Sequence, residues 1–119
     1  MNQYPKKDQI TIDTILDWFQ QSIETKTPIG PQIWIHSALK LNILKSELDD
    51  QIAEYEFQLA QAVSHLIEEG CSSAKAEKIK INKIDYKDYL VQKAKEKRVL
   101  EFIRLSKKQA QLISQNNHY

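Results

Sequence analysis

Lys93, Lys97, Arg104 and Lys108 recur at intervals of four, seven and four residues, a spacing that gathers four cations into one stripe on a helix. Such a row suits contact with successive phosphates, and Tyr86 and Tyr89, just upstream, carry flat faces on which unpaired bases stack. The same residues also suit a plainer role, as a solvated face that offsets an acidic neighbour. Charge favours the plainer role, because the net charge is only +1 whereas nucleic-acid-binding domains are usually strongly basic. The chain is nonetheless polarised: residues 1–70 hold five lysines against eleven carboxylates, and residues 71–119 hold twelve cations against five.

No other set of residues points to reaction chemistry. His36, His65 and His118 are widely separated, without the paired spacing of a metal-binding helix. Cys71 is the single cysteine; it excludes an internal disulfide, suits a reducing compartment, and has no histidine placed to activate it. The expectation is therefore no catalytic residue, no metal ligand, no cofactor and no enzyme. Two tryptophans offer a different use. Trp18 lies off the apolar stripe of its helix and Trp34 follows a proline turn, so both are candidates for a protein interface, whereas Phe19 fits a core.

These residues must be carried by helices. With 41% hydrophobic and 28% charged residues, but only two glycines and three prolines, the 119-residue chain reads as one all-α domain. Ile12, Ile15, Leu16, Phe19 and Ile23 recur at steps of three and four, predicting a short helix over 11–24 with Thr11 as its N-cap. The run TKTPIGP ends it, and Pro31 is placed as the first residue of the next. That helix is expected over 32–69, with Leu41, Leu44, Leu48, Ile52, Tyr55, Leu59, Val63 and Leu66 on one face and Gly70 closing it. A connection over 70–85 should hold a short helix and then irregular backbone. Its alternation KIKINKI has no strand partner to pair with.

Asp85 caps a final helix over 86–114. Its seam reads Val91, Ala94, Arg98, Phe102, Leu105, Gln109 and Leu112, with Arg98 and Gln109 as polar members. Val99, Leu100, Ile103 and Ala110 form a second strip available to the first helix or to a second copy of the chain. The two long helices are expected to fold back as an antiparallel, coiled-coil-like hairpin, with Leu66 opposite Val91, Tyr55 opposite Phe102 and Leu44 opposite Ile113.

The run AKAEK, then IDYKDYL and EFIRLSKKQAQL, after a long helix ending in LIEEG, resembles small helical-hairpin proteins of bacteriophages and prophages over about residues 38–112. KIKINKI departs from the more alanine-rich connection of that pattern. The resemblance implies a phage or mobile-element protein acting in a bacterial cytoplasm, often as an accessory to DNA replication or recombination, and it transfers no functional residue.

The resulting expectation is a non-enzymatic interaction or assembly module that forms a homo-oligomer and uses Trp18, Trp34, Val99, Leu100 and Ile103 at protein interfaces. Nucleic-acid binding by Lys93, Lys97, Arg104 and Lys108 with Tyr86 and Tyr89 is the first rival. Inhibition of a host protein is the second. No apolar run reaches the ~20 residues that cross a bilayer, so no membrane partner is expected.

Overall fold

The computed structural model describes residues 3–116, and His118 lies outside them. Four α-helices follow in order: α1 (Ile12–Glu24), α2 (Pro31–Glu68), α3 (Ser73–Ile79) and α4 (Tyr86–Asn116), with short 3₁₀ turns at Lys7–Gln9 and Lys80–Lys83. The fold is all-α, and α2 and α4 pack together as the expected helical hairpin. Among the described residues there is no strand; residues 78–83 of KIKINKI are helical where irregular backbone was expected, and only Ile84 is extended.

The helix ends are set by local chemistry. Thr11 and Thr14 form a reciprocal capping box: the Thr14 amide donates to Thr11 Oγ1 at 3.1 Å and the Thr11 amide to Thr14 Oγ1 at 2.8 Å. At the other end of α1, the Thr27 amide donates to the Ser22 carbonyl at 2.8 Å and the Lys26 amide to Ile23 at 3.1 Å. That pair of bonds is a Schellman motif, with Lys26 in the left-handed region at φ 55°. α2 closes the same way: the Cys71 amide reaches the Leu66 carbonyl and the Gly70 amide reaches Ile67, both at 3.0 Å, around Gly70 at φ 103°. Ser72 caps α3 through the Lys75 amide, and Asp85 caps α4 through the Asp88 amide.

Contacts divide the chain into two compact units. One contains the chain up to Ser46 and from Arg98 onward. Its core joins Ile15, Leu16, Trp18 and Phe19 of α1 to Trp34 and Leu41 of α2 and to Val99 and Ala110 of α4. The aromatic centre is dense: Phe19 meets Trp34 and Phe102, each with ring centroids 4.6 Å apart. Three fully buried serines, Ser22, Ser37 and Ser106, mark places with room for only a small side chain. Ser106 returns its hydroxyl to the Phe102 carbonyl at 2.8 Å, and Ser37 shares a 2.7 Å bond with the Tyr4 hydroxyl.

The other unit, Glu47–Lys97, buries Leu48, Ile52, Leu59, Leu66, Ala76 and Tyr89. Its contacts revise the expected register. Tyr55 meets Tyr89 edge-on, with centroids 5.9 Å apart, and its hydroxyl donates to Asp88 Oδ2 at 2.5 Å. Phe102, its expected partner, packs with Phe19 and Trp34 instead. The displacement has a physical cause. The connection is itself folded into α3 and a 3₁₀ turn, so the first turn of α4, with Asp88 and Tyr89, meets Tyr55.

The seam of α4 also differs from expectation. Val91, Ala94, Arg98, Leu105 and Leu112 are exposed, Val91 by 51%. Tyr89, Gln92, Glu96, Val99, Ile103, Ser106, Ala110 and Ile113 are instead buried or half-buried, at alternating steps of three and four. Of the expected seam, Phe102 and Gln109 are half-buried. The expected face of α2 holds, with each residue from Leu41 to Leu66 in that series buried or half-buried.

Candidate functional site

Three of the five expected interface residues belong to the core. Trp18 is 8% exposed, Trp34 6% and Val99 fully buried, so none offers a surface to a partner. Trp18 is enclosed from a direction its helical position does not reveal: Tyr4 packs against it edge-on at 5.1 Å, held by the Tyr4–Ser37 bond. Ile103 is half-buried against the same core and Leu100 is exposed.

The cation stripe fares differently from its tyrosines. Lys93, Lys97, Arg104 and Lys108 are all exposed. Tyr89 is buried and Tyr86 half-buried, 5.7 Å apart by centroid, and the Lys93 ammonium lies 5.6 Å from the Tyr89 ring centre. A buried ring covered by a cation presents no face for base stacking. The tyrosines do structural work instead. Tyr55 is pushed up to about 12 from 10.0, first by donating its hydrogen bond to Asp88, then by partial burial and by the charges of Asp88 and Asp85.

Arg98, expected in the seam, is exposed and lines a groove with Glu101, Phe102 and Leu105 of α4 and Leu16, Phe19, Gln20, Ile23 and Glu24 of α1. The groove is open, about 480 Å³ in volume. Leu16, Phe19 and Phe102 form its apolar floor, with Ile23 and Leu105 exposed at its edges. Ile23, the last member of the expected α1 stripe, thus faces this groove rather than the core.

A further exposed apolar row lies on α2, outside the expected interface residues. Ile35, Leu39 and Ile43, one turn apart on α2, are 49%, 61% and 72% exposed. Their spacing was a readable signal, since a second apolar row ran beside the buried Trp34, Ala38 and Leu41. Lys7 and Lys40 line a shallow hollow with Ile43, and Lys40 is 5.6 Å from the ring centre of Tyr4. Among residues 31–46 there is no Asp or Glu.

Cys71 is half-buried with its backbone amide engaged in the α2 terminus, and exposed His65 pairs with Glu69 at 3.0 Å. Among the described residues, no group of three His, Cys, Asp or Glu side chains is placed to hold a metal. Nor, among them, is any helix long and apolar enough to cross a membrane. No protein-family model, curated protein or solved structure matches the chain.

Proposed function

We propose that this chain is a non-enzymatic interaction and assembly module that associates with itself. The observation that carries this reading is the ridge of Ile35, Leu39 and Ile43, which remains in water although the core beneath it is already filled by Trp34, Ala38 and Leu41. Contiguous exposed aliphatic side chains on a folded element mark a surface that gains free energy when covered. Light scattering across a concentration series tests the reading. The expected result is a mass that climbs above the 13.9 kDa of one chain, and a constant 13.9 kDa at high concentration overturns it.

Exposure of Lys93, Lys97, Arg104 and Lys108 supports a second reading, electrostatic binding to nucleic acid without base stacking. Affinity for single- or double-stranded DNA should then fall steeply as salt rises, because each neutralised phosphate releases counterions. Absence of binding at low salt removes this reading.

A further inference from the structure

α4 turns a strongly basic face to water. Among its described residues, the exposed side chains include seven Lys or Arg and a single carboxylate, Glu101. Asp88 and Glu96 are half-buried and engaged, Asp88 with Tyr55 and Glu96 with a partner of its own. Arg98 belongs to the groove it shares with Glu24 and Glu101. Lys93, Lys97, Arg104 and Lys108 remain, and none of the four is held in an ion pair among the described residues. They form a row roughly 22 Å long at ~1.5 Å per residue, on the side of the helix away from the buried Val99, Ser106 and Ala110. We infer that this row selects double-stranded over single-stranded nucleic acid without regard to sequence, an inference that rests on the electrostatic reading above and specifies its ligand.

The lack of open rings beside the row decides between the two forms. Proteins hold single strands by stacking unpaired bases on exposed aromatic faces. No aromatic side chain of α4 is exposed among the described residues, since Tyr89 is buried and Tyr86 and Phe102 are half-buried. Phe57, which is exposed, stands on α2. Without stacking, affinity comes from counterion release, and the duplex gives the larger return: log affinity falls against log salt by roughly 0.9 per phosphate contact for a duplex and roughly 0.7 for a single strand. Four contacts give slopes of about −3.6 and −2.8. Two affinities that are equal at ~1 M salt then differ by about tenfold in favour of the duplex at ~50 mM. Contacts to phosphate carry no sequence information, so the preference is for form alone.

Fluorescence anisotropy with a labelled DNA duplex of about 20 base pairs, and with one of its strands alone, tests this in salt from ~50 to ~200 mM. The duplex should bind about tenfold tighter at the lowest salt and lose roughly 150-fold in affinity across the series. Lys97→Gln and Arg104→Gln, both at exposed positions, should each lower the duplex slope by about 0.9 and weaken binding at ~50 mM by about 15-fold. A duplex of unrelated sequence should bind equally, and a clear difference between the two duplexes overturns sequence independence. A single strand that binds as tightly as the duplex overturns the selectivity and leaves the electrostatic reading standing. Duplex binding that neither substitution weakens places the contact off this row and overturns the proposal, and no binding to either form at the lowest salt overturns both readings. Circular dichroism confirms that each variant is folded, and Lys93→Gln with Lys108→Gln repeats the test at independent positions if either first variant is not.

Discussion

The two units solve the same problem, the thin core of a helical hairpin, by different means. In unit one a third helix lies against the pair, and Phe19, Trp34 and Phe102 fill the centre with large rings. In Glu47–Lys97 the third helix is the short α3, which buries only Ala76. Leu48, Ile52, Leu59 and Leu66 of α2 are buried there, and Gln92, Lys95 and Glu96 of α4 are half-buried. Asp49, Lys95 and Glu96 each have an interaction partner, and Tyr55 binds Asp88 directly. One unit therefore excludes water with aromatic volume, while the other combines a narrow apolar line with partnered polar side chains, which fix pairing at less gain from burial.

The comparison can be broken most severely at Phe19. Phe19→Ala removes a fully enclosed ring touching three others, and should lower stability by about 4 kcal/mol, as large core truncations do. Both tryptophans lie in unit one, so their fluorescence follows that unit alone, whereas far-ultraviolet circular dichroism follows all the helices. The tryptophan transition in urea should move to lower concentration by more than the dichroism transition. Equal displacement of the two would show that the units melt as one and would dissolve the distinction.

A smaller change sharpens unit one in the opposite direction. Lys26 holds a left-handed backbone conformation that a side chain with a Cβ disfavours, so Lys26→Gly should stabilise the chain by about 1 kcal/mol, read as a higher urea midpoint. No gain there would mean that the flexibility glycine adds to the unfolded chain cancels the relief.

The smallest effect belongs to unit two and is visible in pH. The folded state holds the Tyr55 proton more firmly than the unfolded state, whose tyrosine titrates near 10.0 while the folded one titrates near 12. The stabilisation from this bond is fully present below pH ~10 and is lost as pH rises towards ~12. Tyr55→Phe should remove that part of the alkaline slope in a pH series of urea midpoints. An unchanged slope would place the coupling elsewhere.

Helix boundaries were legible because they depend on neighbours in sequence. Thr11, Pro31, Gly70 and Asp85 each announce a start or a stop, and all four stand at the ends they imply. The buried face of α2 was legible for a related reason, since most of its members are aliphatic. The face of α4 was not, because Gln92, Glu96 and Ser106 occupy it and apolar counting passes over them. Register was hidden in the folded connection, which displaces the return point of the hairpin. Trp18 was misplaced because its cover, Tyr4, comes from a polar segment whose path no periodicity describes. Of the candidate surfaces, the cation row was readable from spacing, whereas the groove exists only once α1 has docked.

The enclosed hydroxyls of Ser22, Ser37 and Ser106 define what variation this scaffold can accept over time. Exchange with alanine or glycine keeps the backbones at their present approach, but any branched or longer replacement must wedge neighbouring turns apart. Drift at these three sites should stay within the smallest letters of the amino-acid alphabet, even where the exposed surface changes freely.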